Sequence, residues 1–500
     1  MTPPLPELGV GLVLWPALLP LLSDDGGGID VIEIEPEFFW FETGNPLEPM
    51  RMDTGVLRQL ADLPQRKLVH GVASPVGGGL APDPQRMDLM RAVVTTLQAP
   101  WASEHLSFNA VPAPEGRVDA GFLLPPLQTV EGAEQAAANI RAMADGLRIP
   151  VAVENNVNYL RPCPGELTDG DFLAEVAQRA DCGLLLDLHN LWVNEQNGRQ
   201  PARAALERLP LERVWEVHLA GGTRHRGYWL DAHSGPVADE VMALAAETIP
   251  ALPNLRALIF EMLPAYLPQV GMGKVRRQIE RLHGLWALRR PGPPRPPRQA
   301  VAVAVDAGAG LPRQGRAPSS AEWEQALGAS VSGLPHARGR LPALEDDPGV
   351  DILRELALNA RAGQIASAAR LTTRVLLAHG GGDAFQAMFA GYAASHPPRQ
   401  FASSEALAFL DHARSQPHAI RYLEDVAAFE SAVIRSALGR DAHRVDFHVD
   451  PLPLLAALSE GRAVPDLPAS GPYRIQVESG AVTALTHAGA RRRRRHRPSQ

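Results

Sequence analysis

The sequence predicts an α/β fold: a (β/α)8 TIM barrel, then a linker, then a smaller and mainly α-helical domain. Three observations carry this. Between about residue 8 and residue 285, eight short apolar runs alternate with longer amphipathic stretches. No GxGxxG follows any of these runs, which speaks against the main rival, a doubly wound open sheet. Ionisable residues also stand at the strand ends, as they do when C-terminal ends meet at one barrel mouth, GVGLVL being the exception among the runs.

The runs are GVGLVL (Gly9 to Leu14), VIEIE (Val31 to Glu35), KLVHGV (Lys67 to Val72) and WASEHL (Trp101 to Leu106). They continue with IPVAVEN (Ile149 to Asn155), LLLDLHN (Leu184 to Asn190), VWEVHLAG (Val214 to Gly221) and LRALIFEM (Leu255 to Met262). LLLDLHN is the clearest. Three leucines break off at Asp187, His189 and Asn190, the signature of a short buried strand of a parallel sheet. Helical patterns lie between the runs, such as Glu131 to Leu147 and Asp169 to Ala180, the second with Thr168 placed to cap it.

Composition divides the chain further. Residues 1–288 form the barrel. Residues 289–320, opening on RRPGPPRPPRQ, read as an extended linker. Residues 321–480 form the second domain. Its expected helices are Ala321 to Leu327, Asp351 to Gly363, Ala368 to Leu377, Ala384 to Ser395, Ser403 to Ala413 and His418 to Leu438, with DFHVDP and YRIQVES as extended segments. Residues 481–500 end in RRRRRHR, a like-charge block that reads as a disordered, solvated tail.

Bulk properties exclude several classes. A net charge of −8 leaves no overall basic field for nucleic acid. Only two cysteines, Cys163 and Cys182, are present, so no disulfide scaffold or zinc ribbon is expected. Pro16 and Pro20 interrupt the apolar stretch Val10 to Leu22, and no Lys or Arg precedes Arg51. No apolar run is long enough for a bilayer. A cytoplasmic location with no membrane partner is expected.

The strand ends collect an unusual set of side chains. VIEIEPE gives Glu33, Glu35 and Glu37, and KLVHG gives His70. WASEHL gives Glu104 and His105, and VAVEN gives Glu154 and Asn155. LLLDLHN gives Asp187, His189 and Asn190; WEVHLAG gives His218; WLDAHSG gives Asp231 and His233; LIFEM gives Glu261. A single His or Glu in such a place is usually hydrogen-bonded structure or a helix cap. Together, so many imidazoles and carboxylates in one pocket would go unpaired or repel without a cation. No cysteine is among them, so the set suits iron, manganese or zinc, and its size calls for at least two ions. Glu154 or Asp187 can bridge them, and Asn155, Asn190 and Glu104 either support the ligands or join them. Residue types alone leave hydrolysis and redox chemistry both open. A metallohydrolase or sugar isomerase with two divalent metals stands as the rival reading, and a non-enzymatic peptide or metal scaffold as another.

Several motifs, in order, point further: EIEPEFF, LVHGV, WASEHLSF, FLLPP, VENNVNYL, CGLLLDLHNLWVNEQNGR, EVHLAGG, DAHSGPV and FEMLP. Residues 8–285 thereby resemble the multinuclear non-haem iron-dependent oxidases that modify ribosomally made peptides, including the methanobactin-forming oxidase. The resemblance implies iron ligands at His70, His105, Glu154, Asp187, His189, His218, Asp231, His233 and Glu261, with Asp187, His189 and Glu154 at the centre of catalysis. It implies two or three irons (Fe2+/Fe3+), dioxygen as oxidant and a cysteine-containing precursor peptide as substrate. The chain departs from the commoner pattern at GVGLVLWP and ASPVGGG, which bears on substrate identity. The second region, through RQFASSEALAFL and YLEDVAAFESAVIRSAL, is similar to the partner proteins that deliver the precursor, here fused in cis. An ordinary amphipathic core helix would give the second of these motifs the same spacing.

Overall fold

The computed structural model describes residues 5–22, 28–45, 48–113, 116–290, 318–333, 341–417, 419–439 and 441–487. The Arg-rich tail and nearly all of the expected linker lie outside them. The chain forms two compact units, Met1–Phe39 with Met52–Leu356, and Trp40–Arg51 with Ala357–Gln500.

The first unit is a closed barrel of eight parallel strands. They are β1 (Gly9–Val13), β2 (Val31–Ile34), β3 (Arg66–Gly71), β4 (Ala102–His105), β5 (Val151–Glu154), β6 (Gly183–Asp187), β7 (Val214–Ala220) and β8 (Ala257–Glu261). Each pairs with its sequence neighbours, and β1 closes on β8 with Gly9 opposite Ala257 and Leu12 opposite Phe260. This is the fold class expected from the alternating runs. The strands read as continuous apolar runs because helices cover their outer faces while the interior is also filled. Leu8, Val13, Val31, Leu68, Trp101, Ala152, Leu185, Ala257 and Ile259 pack into one buried apolar plug.

The helix Asp169–Ala180 starts at its Thr168 cap, whose hydroxyl takes the Asp171 N–H. At LLLDLHN the strand stops earlier than the motif does. Asp187 caps the helix Leu188–Gln196 by accepting the Asn190 N–H at 2.8 Å. His189 and Asn190 therefore sit on the first helical turn, still facing the barrel mouth.

Two hairpins not anticipated from the sequence rise from the same end. Phe108–Ala113 pairs with Gly116–Leu124 after β4, and Thr223–His225 pairs with Tyr228–Leu230 after β7. The helix Ser320–Ser332 also belongs to this unit. Its Trp323 is buried and donates to the Pro125 carbonyl at 3.1 Å, and its Glu324 takes the Gly79 N–H.

The second unit is mainly helical, around a core that includes Tyr392, Phe409, Leu410, Leu423, Val426 and Phe447. The two helices expected at Ala368 to Leu377 and Ala384 to Ser395 run together as Arg370–Ala393, broken by non-helical backbone at Gly380 and Gly381. The last long helix is Leu423–Gly439, starting five residues after the expected His418, because Tyr422 adopts a left-handed backbone at φ 67°. The extended segments become a sheet, His443–Phe447 with Tyr473–Glu478, and a third strand Ala481–His487 joins it. Residues 40–51 fold with this unit, where the Ser404 hydroxyl donates to Glu42.

Candidate metal centre

Four groups of donor atoms converge at the C-terminal mouth of the barrel, each with its atoms within 4.8 Å of one another. They are His70–His105–Glu154, Glu154–Asp187–His218, Glu33–His218–Glu261 and Asp187–His233–Glu261. Glu154, Asp187, His218 and Glu261 each belong to two groups. The cluster is therefore continuous, and its carboxylates are placed to bridge.

The first group is aimed from behind. Nδ1 of His70 meets the Ser103 hydroxyl at 2.9 Å, and Nδ1 of His105 meets the Gly71 carbonyl at 3.1 Å. Both rings thereby turn Nε2 toward Oε2 of Glu154, at 3.2 and 3.3 Å. Imidazole ligands are oriented in this way, with the second nitrogen anchored. Gly71 also lets β3 pass Glu104, since a Cβ there would lie 2.3 Å from Oε2 of Glu104.

The middle of the cluster is the most buried. His218 lies 2.9 Å from Glu33 through Nε2 and 3.0 Å from Glu261 through Nδ1. Below it Glu216 accepts from the Trp101 indole at 2.9 Å, which joins the polar layer to the apolar plug. At the rim, Nε2 of His233 lies 2.9 Å from Asp231 and 3.2 Å from Glu261. His189 faces Asp231 at 3.8 Å and stacks on Trp192.

These contacts are close but off the hydrogen-bonding angle. Oε2 of Glu154, Oδ2 of Asp187, both carboxylate oxygens of Glu33, Oδ1 of Asp231, and both ring nitrogens of His189 and His218 are buried without a hydrogen-bond partner among the described residues. An uncompensated buried charge costs several kcal/mol. Atoms that point at a shared place instead of at each other fit a cation there, and His with carboxylate suits a transition metal.

The proton equilibria fit the same account. Burial, reinforced by Glu154, Asp231 and Glu261, pushes Asp187 well above the carboxylate range. Burial and Glu216 do the same to Glu33. Burial would lower His105, but Glu154 and Glu104 outweigh it and hold it at about 10. His218 and His233 are likewise held well above 6.5 by their carboxylate neighbours against burial. His189 goes the other way, pushed down by burial to about 4. Protons occupy this cluster where a cation would otherwise carry the positive charge.

Of the expected residues, His70, His105, Glu154, Asp187, His218, His233 and Glu261 fall into the donor groups. Asp231 and His189 stand beside them as a facing pair. Asn155 spends its amide on the Asp187 backbone, donating to its carbonyl and accepting its N–H, both at 2.9 Å. Asn190 donates to the Asn155 carbonyl at 3.0 Å. Glu104 takes backbone N–H groups of His105 and Ser74. All three are supports in this arrangement. Glu33 was visible at a strand end but not expected as a ligand; its place opposite His218 depends on barrel closure. Glu35 and Glu37 also line the mouth, raised to about 8 and about 7, by burial first and then by neighbouring carboxylates. Cys163 and Cys182 are buried, and burial pushes the Cys182 thiol up to about 12.

The model of the RiPP precursor modification enzyme MbnB/TglH/ChrH matches residues 9–266. The chain is 36% identical to the UPF0276 protein PA3283 of Pseudomonas aeruginosa over 248 residues, 48% of this chain and 80% of that one. It is 34% identical to a UPF0276 protein of Chromobacterium violaceum, over 44% of this chain and 74% of that one. It is 33% identical to a UPF0276 protein of Streptomyces avermitilis over 44% of this chain, and spans 45% of that relative's length. Among solved structures it is similar to a xylose isomerase domain protein from Planctomyces limnophilus, at 15% identity and a TM-score of 0.37, over 56% of this chain and 98% of that one. That likeness is too remote to bear on activity. Among the described residues, no helix is long and apolar enough to cross a membrane. With a barrel whose mouth gathers these donors and a family model that spans residues 9–266, the chain belongs to the RiPP precursor modification enzymes of the MbnB/TglH/ChrH family.

Proposed function

We propose that this protein is a multinuclear iron-dependent oxidase that uses dioxygen to modify a cysteine of a ribosomally synthesised precursor peptide. The observation that carries this reading is the run of linked donor groups, in which Glu154, Asp187, His218 and Glu261 are each shared. One mononuclear site does not need shared ligands. Bound iron would supply the electrons for dioxygen and a Lewis acid for the substrate thiol.

The chain's own residues do the rest. His70, His105, Glu154, Asp187, His189, His218, Asp231, His233 and Glu261 are assigned as ligands, with Glu33 added. Asn155 holds the Asp187 backbone and the Asn190 N–H holds Oδ1 of Asp187, so that Oδ2 stays free for a ligand. Glu35 and Glu37, with raised affinities for protons, are placed to take the proton a cysteine thiol loses on binding. The buried apolar cluster inside the barrel gives the donors a low-dielectric surrounding.

The second unit is read as a peptide-delivering module in cis. Among the described residues, strand His443–Phe447 pairs on one side only, with Tyr473–Glu478. Next to it lies a cavity of about 400 Å³, lined among others by Arg435, His443, Arg444 and His448. An open edge beside a groove suits an added peptide strand. Covalent attachment to the barrel unit would then keep the delivered peptide at high effective concentration.

The test is metal analysis of protein purified without oxygen, followed by oxygen uptake with a cysteine-containing precursor peptide. Iron at two or more equivalents and peptide-dependent uptake are expected. Stoichiometric zinc or manganese in place of iron, or turnover without oxygen uptake, would overturn the oxidase reading in favour of a hydrolase or isomerase.

A further inference from the structure

Most of the candidate ligands are held by the barrel itself. Glu154, Asp187 and Glu261 end strands, and His218 lies within one. Asp231 and His233 are different. They follow the hairpin Thr223–His225/Tyr228–Leu230, and their side chains are 22% and 25% exposed. His233 adopts a left-handed backbone, φ 45°, which is uncommon for a residue with a side chain and persists only where its surroundings enforce it.

The loop has two anchors to the barrel backbone, Leu263 N–H to the His233 carbonyl at 3.0 Å and Ser234 N–H to the Gly221 carbonyl at 2.7 Å. Ahead of His233 the anchor is a side chain. The Asp231 N–H donates to the Tyr159 hydroxyl at 3.1 Å, and Tyr159 is buried. Tyr159 belongs to the loop after β5, and the backbone of that loop is gripped by a distant part of the same unit. Oδ2 of Asp347 takes the Arg161 N–H at 2.8 Å, while its Oδ1 takes the Gly349 N–H at 2.9 Å. Gly349 lies so close that a Cβ would stand 2.2 Å from the Tyr159 carbonyl oxygen. Two turns on, Glu355 takes His225 Nε2 at 2.7 Å and also meets Arg226, at the tip of the hairpin that leads into Asp231. The buried side chains of Val350, Ile352 and Leu353 hold this segment in place.

We propose that the segment Leu341–Leu356 is a clamp, and that Asp347, Gly349 and Tyr159 are positioning residues for the rim ligands Asp231 and His233. It bears on two of the supports of that loop, the tyrosine behind Asp231 and the hairpin before it. The Glu355 contact is solvent-exposed and contributes little; the buried packing of Gly349 on Tyr159 is the main element. The inference deepens the metal-centre reading, on which the ligand role of Asp231 and His233 rests. The position of the loop does not depend on that reading.

The test uses the full chain in two variants. Gly349→Ala places a methyl group against the Tyr159 carbonyl. Tyr159→Phe removes only the acceptor of the Asp231 N–H. Hydrogen exchange is first measured on the metal-free protein. Amides of residues 222–234 are expected to exchange about tenfold faster or more in both variants, while those of β5 and β6 keep their wild-type rates. Wild-type exchange at residues 222–234 in both variants would overturn the clamp. Should Gly349→Ala fail to fold, Tyr159→Phe decides alone. Cobalt(II)-loaded protein is then challenged with a chelator. One class of cobalt is expected to leave at least about tenfold faster in the variants, with the remainder unchanged. Uniformly faster loss of every equivalent would overturn a specific effect on the rim. Wild-type protein that binds no stoichiometric metal would overturn the proposed function and not the clamp, which hydrogen exchange reads without metal.

Discussion

Both units of this protein bury charge, and they do it in opposite ways. In the second unit the buried groups are matched. Arg361 donates to Glu405 at 2.6 Å, and the other Glu405 oxygen takes the Arg399 N–H at 2.8 Å. Glu430 accepts from the Leu371 and Thr372 N–H groups, both at 2.7 Å. Among the described residues of that unit, the buried atoms without a hydrogen-bond partner are uncharged. In the barrel mouth, carboxylates and imidazoles lie side by side without completing bonds. A matched buried charge explains itself structurally. A converging set of unmatched ones stores free energy that only a ligand can recover, and this distinguishes a site from a core.

That contrast can be broken in both places. The largest expected effect is in the second unit. Glu405→Ala leaves Arg361 buried without its partner and should cost about 3–5 kcal/mol in chemical denaturation, with metal content unchanged. In the barrel, Glu154→Ala should do the reverse. Metal analysis should show loss of bound metal and turnover should fall by more than about 100-fold, with little loss of stability in the metal-free chain. If Glu154→Ala destabilises the metal-free protein as much as Glu405→Ala does, the mouth is ordinary structure and the contrast fails.

A smaller effect is expected one shell out. Asn155→Ala removes both hydrogen bonds that fix the Asp187 backbone, and should weaken metal affinity by about 10–100-fold in a competition titration, without changing which metal binds. The smallest effect is on pH dependence. Glu35 and Glu37 titrate at about 8 and about 7 in the folded chain, above the 4.5 of an exposed Glu, and His105 at about 10, above 6.5. Between pH 6.5 and 8 the folded metal-free protein therefore holds more protons at these groups than the unfolded chain. Its stability should fall as pH rises across that window. His189, at about 4, acts the other way near pH 6.5, where the unfolded imidazole still holds about half a proton, and the three raised groups outweigh it. Metal competes with those protons, so the loaded protein should lose this slope or reverse it. Thermal melts at pH 6.5 and 8, with and without metal, check both halves.

Much of the donor cluster is legible in the sequence. His70, Glu154, Asp187 and Glu261 could be picked out because each stands where an apolar run stops, and a parallel barrel brings all such ends to one face. Glu33 carries the same local signal, yet its partnership with His218 joins β2 to β7. No spacing along the chain encodes that pairing. The supports were legible only as a class. Asn155 and Asn190 follow strand ends as ligands do, and whether an amide faces a metal or a backbone depends on ångström-scale placement. The helix Ser320–Ser332 shows the limit at the level of units: its amphipathic pattern marks a helix but does not say against what it packs.

The sequence by itself determined the barrel, the order of its strands and the chemical nature of its mouth, because periodicity and strand-end residues are local properties that a parallel barrel maps onto space in one way. Only the tertiary structure decided how the donors group, which of them share a position, and that Asp347 and Gly349 reach back to the loop that carries Asp231. The last of them joins residues 186 positions apart, Arg161 and Asp347. Such relations are set by barrel closure and side-chain packing, which no local pattern in the chain specifies.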